Sequence, residues 1–273
     1  MIKVVEISKI EDVLPLITEQ QYRPDLKRNR SLYLYRGMPD ASYKLTTSLS
    51  RNCKDFKKEL EPCILMNFTK YGALEDPTIE RSVWRQMFMG QHHGLPTRLL
   101  DWSHSPLIAL HFAVTEENLD RMDARDCMIW RIDMKELHKM LPDKYRKLLD
   151  DNQTSVFSVN LLNEITTTLS QYDEDMQDKS MVVIEPPSID PRIVNQYSFF
   201  AIVPDAINNI EEFFDRNTNN TVKYIIKKEL RWRIRDMLDQ QNISERLLYP
   251  GLDGLCKSLG RHYYVSKDLM NDK

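Results

Sequence analysis

The densest chemistry in the sequence lies at Gly90-Gln91-His92-His93-Gly94-Leu95-Pro96-Thr97-Arg98-Leu99-Leu100-Asp101-Trp102. Two imidazoles, an amide, a guanidinium, a carboxylate and an indole fall within thirteen residues, punctuated by two glycines and a proline. A metal site is excluded by spacing, because adjacent His side chains diverge and no third ligand follows at helical or strand spacing. If Thr97–Trp102 is a strand, alternation puts Arg98, Leu100 and Trp102 on one face and Thr97, Leu99 and Asp101 on the other. Arg98 and Asp101 would then belong to separate networks. The segment reads equally as a tightly hydrogen-bonded turn that joins a helix to a strand.

Tyr35-Arg36-Gly37 is the second constellation. An Arg at a strand end can fork onto two oxygens of a phosphate or pyrophosphate, which a Lys cannot match. Gly37 would let a ligand approach the backbone. The plainer alternative for Arg36 is a salt bridge to a nearby carboxylate. Thr46-Thr47-Ser48-Leu49-Ser50 offers hydroxyls that could bond a ribose, or could simply cap a turn. Farther on, Lys227, Arg231 and Arg235 recur at i, i+4 and i+8, with Lys228 and Arg233 flanking and Trp232 interleaved. Such a stripe can track phosphates; it can also be a solvated helix face, supported by Glu229 four residues before Arg233.

The elements that must position these groups can be read from periodicity. Ile10, Val13, Leu14 and Ile17 predict a helix over 9–22, and Ser31–Arg36 a strand stopped by Gly37 and Pro39. Phe56, Leu60, Ile64 and Phe68 predict a helix over 54–71, followed by one over 78–90. After the 97–102 strand, Ser105-Pro106 starts a helix through Leu107, Leu110 and Phe112. Strands follow at 127–132, 181–184, 194–203 and 222–226, and helices at 134–141, 143–150, 205–215, 229–240 and 252–259, the last stopped by Gly260. Residues 151–180 are polar and read as an insertion with at most a helix near 159–170. Strands and helices without a repeating βαβ rhythm predict an α+β fold, a central mixed or split sheet flanked by helices.

Composition is that of a globular protein, with 41% hydrophobic and 29% charged residues. The balance of 38 basic against 41 acidic residues, a net −3, does not announce a nucleic-acid binder. No apolar run is long enough to cross a membrane, no secretory leader is evident, and the four cysteines lack CxxC spacing. A cytoplasmic protein with free thiols is expected.

Tyr35-Arg36-Gly37, Gln91–Ser103, Ser105-Pro106-Leu107 and Ala109–Ala113 together resemble the FRG domain, a family named for its Phe/Tyr-Arg-Gly motif. Arg192-Ile193, Gln196, Phe199 and Leu248–Leu255 are similar to its later segments, so the resemblance spans about 31–260. The organisation expected is an N-terminal helical segment over 1–30, an FRG-like domain over 31–260 with the polar insertion 151–180, and a C-terminal tail over 261–273. The family is often found in bacterial and phage-conflict settings, and its layout is similar to that of ADP-ribosyltransferases. The resemblance thus implies an NAD-dependent effector, a toxin or defence protein, acting on a protein or nucleic acid and restrained by an antitoxin or defence-system partner. In that reading Arg36 would hold the NAD pyrophosphate, and Thr97 and Ser103 would border the nicotinamide. Gly37, Arg98 and Asp101 would complete the cofactor side, with His93 a catalytic candidate. A transferase wants a Glu near the nicotinamide ribose, and Gln196 stands at that place, with Glu185 as a substitute. A neutral Gln196 equally suits a non-catalytic module that binds a nucleotide, nucleic acid or partner protein.

Overall fold

In the computed structural model, which describes residues 1–116, 118–188 and 190–265, nine strands form two sheets. The strands are β1 (Lys3–Ile7), β2 (Tyr22–Arg23), β3 (Arg28–Asn29), β4 (Tyr33–Met38), β5 (Leu99–Ser103), β6 (Cys127–Asp133), β7 (Val182–Ile184), β8 (Ser198–Ile202) and β9 (Val222–Ile226). Strands β2 and β3 make a small hairpin. The other seven form one sheet in the order β1-β9-β6-β4-β5-β8-β7, with β1 parallel to β9 and every other neighbour antiparallel. The fold is α+β, a central mixed sheet flanked by helices. No described helix is long and apolar enough to cross a membrane.

Alternation along the strands sorts the core. Leu34 and Met38 of β4, Leu100 and Trp102 of β5, and Met128, Trp130 and Ile132 of β6 face one side, where Phe213 and Phe214 of the Ile210–Asn217 helix cover them. The opposite side is divided in two. Tyr33, Tyr35, Ile129 and Tyr224 pack beneath the helices Pro106–Val114 and Arg231–Gln240. Leu99, Val182, Ile184, Phe200 and Ile202 pack with Trp84, Phe88, Tyr145, Phe157 and Tyr172. Between these two groups lies the junction of β4 and β5.

Several expectations need correction. Strand β4 runs through Gly37 to Met38, and the strand expected over 194–203 is a helix over Pro191–Asn195 followed by β8. The first 30 residues are not simply helical: β1 joins the main sheet, and the α-helix is confined to Val13–Thr18. Strand β1 is an edge strand with only Ile7 buried, so its sequence carries no alternating signal. The polar 151–180 stretch is no loose insertion. It holds the helices Val159–Asn163 and Leu169–Met176, capped by Ser158 and Thr168, and buries Phe157, Leu161, Leu162, Tyr172 and Met176. Tyr172 ties it to the sheet: its hydroxyl donates to the Ile202 carbonyl (2.7 Å) and accepts from the Val182 amide (3.0 Å). The last helix, Leu252–His262, runs through Gly260 rather than stopping there. Of the expected tail, residues 266–273 lie outside the described residues.

Candidate functional site

Strands β4 and β6 pair over six residues, whereas β4 and β5 share one pair, Tyr35 with Ser103. Past that pair β4 and β5 part, leaving backbone groups that need other partners. Arg36 supplies one. Its Nη1 donates to the Asp101 carbonyl at 2.7 Å and lies 3.3 Å from the Asp101 carboxylate. Beside the parting the Pro106–Val114 helix lies directly on Gly37. A Cβ there would sit 1.9 Å from the Ala109 carbonyl oxygen and 2.6 Å from the Ala113 nitrogen. The role expected of Gly37, to admit a ligand, is therefore corrected: what approaches its backbone is the helix.

The 91–103 segment converges on the same point through a chain of side chains. The Thr97 hydroxyl donates to the Gln91 side-chain Oε1 (2.5 Å), which fixes the orientation of that amide. The Gln91 Nε2 then donates to both Asp101 carboxylate oxygens, at 3.1 and 3.2 Å. Thr97 itself is buried and tied to Ser48 (3.0 Å from Thr97 N to Ser48 Oγ). It positions Gln91 and does not line the cleft, which corrects its expected place beside a nicotinamide. The hydroxyls of 46–50 are likewise structural, with Thr47 capping the Ser48–Cys53 helix.

A cleft of about 920 Å³ opens at this parting. Its floor carries Arg36, Asp101, Ser103 and Phe200; one wall is Phe112 and Thr115, the other Arg192, Gln196, Tyr249 and Lys257. Four expected residues, Arg36, Asp101, Ser103 and Gln196, thus share one concave surface, with Gly37 at its edge. Ser103 and Gln196 touch directly: the Ser103 hydroxyl donates to the Gln196 main-chain carbonyl at 2.7 Å. Gln196 Nε2 donates to the Leu248 carbonyl (3.2 Å), so this side chain clamps the C-terminal segment against the cleft.

Besides Thr97, three expected residues fall elsewhere. Arg98 is buried and bound to Glu61 (2.8 Å from Nε) and Asp173 (2.6 Å from Nη1). Burial alone would lower its pKa, and the two carboxylates more than reverse this. It is a structural ion-pair centre, as strand alternation allows, and no ligand contact. His93 is exposed at the C-cap of the Val83–His92 helix; its neighbour His92 faces the cleft instead, 3.4 Å from Asp190. Burial holds the His92 pKa below the ordinary imidazole value. Glu185 is exposed beyond the end of β7 and does not line the cleft, apart from the place expected of it beside Gln196.

Sequence reasoning missed the role of the Arg231–Gln240 helix. Arg231 and Arg235 are not a phosphate-tracking stripe, because both are buried. Arg231 donates to the carbonyls of Pro39, Arg125 and Ala113, pinning the residues after Tyr35-Arg36-Gly37 to the end of the 106–114 helix. Arg235 donates to Glu245 (2.6 Å), Thr115 (3.0 Å) and His111 Nδ1 (2.8 Å). Arg261 joins Glu245 and Asp239, completing a largely buried network at one end of the cleft, which His111, Glu245 and Arg261 also line. Burial and the neighbouring Arg235 push the His111 pKa down to about 3, so this imidazole stays neutral. Among the described residues no group of three or more His, Cys, Asp or Glu is placed to hold a metal.

Residues 31–122 match the family model of the FRG domain. The matched span takes in β4, β5 and the 106–114 helix, the three elements that make the parting. No curated protein and no solved structure matches the chain. The far wall of the cleft, from Arg192 to Lys257, lies outside the matched span.

Proposed function

We propose that the cleft is a nucleotide site that takes a pyrophosphate-bearing ligand such as NAD, with Arg36 as the pyrophosphate anchor. The observation that carries this reading is the state of the Arg36 guanidinium. It sits where β4 and β5 part and spends Nη1 alone on Asp101, while Nε is buried without a partner and Nη2 makes no hydrogen bond among the described residues. A guanidinium held at Nη1 leaves Nη2 to donate to an anion. The cleft volume falls within the roughly 300–1,000 Å³ of small-molecule and cofactor sites, and Phe112, Phe200 and Tyr249 give it the apolar walls such sites use.

The test is calorimetric titration of the full chain with NAD. Saturable binding is expected, displaced by ADP-ribose, which keeps the pyrophosphate, and not by adenosine, which lacks it. Absence of saturable binding would overturn the reading.

A second reading, ADP-ribosyl transfer to a protein or nucleic acid, rests on Asp101. Transfer needs a carboxylate beside the developing oxocarbenium charge. Gln196 is neutral, Glu185 is outside the cleft, and Glu245 is taken up by Arg235 and Arg261. Asp101 is half-exposed in the cleft and oriented by Gln91. In this reading Asp101→Asn abolishes NAD consumption while NAD still binds, and no NAD consumption by the unaltered chain, alone or with cell extract, removes it.

A further inference from the structure

We infer that Arg192, Tyr249 and Lys257 form a second anion subsite in the same cleft, which takes a phosphate monoester carried by the nucleotide in addition to its pyrophosphate. The inference rests on the nucleotide reading above and names the class of nucleotide. Arg192 stacks over the Tyr249 ring, its guanidinium carbon 4.8 Å from the ring centroid, and Lys257 Nζ lies 5.8 Å from the same centroid. All three line the cleft.

The charge balance of the cleft singles these residues out. Arg36 is paired with Asp101, Arg261 with Asp239 and Glu245, and His92 faces Asp190. Arg192 and Lys257 make no ion pair with a carboxylate among the described residues; the aromatic ring between them is their shared partner. On the opposite side Glu116, next to Thr115, is a carboxylate with no ion pair among the described residues, so the cleft keeps a net excess of one cation, concentrated at Arg192 and Lys257, that an anionic ligand would match. A phosphodiester brings one negative charge, whereas a phosphate monoester carries about −1.5 to −2 near neutral pH and three acceptor oxygens. Two cations are also too few to follow a polynucleotide backbone, which needs a continuing basic groove.

The wall is fixed in place before any ligand arrives. Asn195 Nδ2 donates to the Leu247 carbonyl (2.8 Å) and Gln196 Nε2 to that of Leu248 (3.2 Å), joining the segment that bears Tyr249 to the helix that bears Arg192. Gly254 lets the Lys257-bearing helix close on the same segment, since a Cβ there would lie 1.8 Å from the Tyr249 carbonyl oxygen. Burial raises the pKa of the Tyr249 phenol, with Arg192 opposing the shift and Glu245 and Asp101 adding to it.

The experiment is parallel calorimetric titration of the full chain and of Lys257→Ala and Lys257→Arg with NAD and with NADP. Lys257 is exposed, so these variants test charge with little demand on folding. One added charge-assisted contact predicts NADP binding roughly tenfold or more tighter than NAD. That ratio should collapse toward one in Lys257→Ala and be kept in Lys257→Arg. NAD binding as tight as NADP, or a ratio that Lys257→Ala leaves unchanged, overturns the subsite and leaves the nucleotide reading standing. Binding of neither overturns both. A single-stranded oligonucleotide that binds more tightly than NADP would also overturn the monoester assignment.

Discussion

The Nη1 of Arg36 and the main-chain carbonyl of Asp101 lie 2.7 Å apart, across a gap where neighbouring strands would ordinarily pair backbone to backbone. A side chain thus replaces a ladder hydrogen bond, and the sheet opens at that place. Beside the opening a helix rests on Gly37 and the Gln91 amide orients the Asp101 carboxylate.

The first consequence concerns Gly37. Gly37→Ala would drive a methyl group into the Ala109 carbonyl, and backbone cannot yield as a flexible side chain can. The expected destabilisation is about 1–3 kcal/mol or more, the usual range for forcing an extra carbon into packed structure. Urea unfolding of the variant checks this; an unchanged midpoint would mean the helix does not rest on Gly37.

Arg98 gives a second. Glu61→Ala would leave Arg98 buried with Asp173 alone, and removing one partner of a buried pair costs about 3–5 kcal/mol. The loss should appear as a lower urea midpoint. A variant as stable as the parent would show that Arg98 does not need its partner and would reopen its expected role at a ligand.

For the 151–180 segment, Tyr172→Phe removes the hydroxyl that bridges Val182 N and Ile202 O and leaves both buried. The expected loss is about 1–3 kcal/mol. Hydrogen exchange should also show the amides of 172–176 protected. Rapid exchange there together with an unchanged melt would restore the loose insertion read from composition.

Two buried imidazoles set a pH dependence. Burial and Arg235 push His111 down to about 3, with Glu245 and Arg261 the other charges facing it; burial pushes His138 down to about 4. Both folded pKa values lie below the unfolded value near 6.5, so between those limits the unfolded chain binds more protons than the folded one. Their stabilisation is therefore full above about pH 6.5 and is lost as pH falls toward 4, by about 1.4 kcal/mol per pH unit for each group. Urea unfolding at pH 7, 6, 5 and 4.5 measures the slope. Stability that stays level or rises on acidification through this window would contradict the burial of both rings as neutral species.

Much of this architecture was legible in the sequence, because β4, β5, β6 and the 106–114 helix carry strong alternating or continuous apolar runs with clear breakers. The local elements around Arg36 and Asp101 followed from those runs and from the FRG resemblance. What escaped was non-local. Alternation correctly separated Arg98 from Asp101, yet nothing in spacing says that Glu61 and Asp173, far apart in the chain, close over Arg98. His92 and His93 are adjacent, and only the end of their helix decides which one faces the cleft. The stripe of Arg231 and Arg235 has the pattern of a solvated face; it is buried because carbonyls and Glu245 from other elements receive it. Gln91 stood in the densest motif, but its task became visible only with both ends of its amide engaged.

The most direct test of the central claim is NAD titration of the unaltered chain beside Arg36→Lys, at one pH and one salt concentration, with circular dichroism to verify the fold of both. Lysine keeps the charge and loses the fork, so the change isolates what the guanidinium contributes. A charge-assisted bond of about 1.5–3 kcal/mol predicts affinity roughly ten- to a hundred-fold weaker in Arg36→Lys. Equal affinity in the two proteins would remove Arg36 from the ligand and contradict the account.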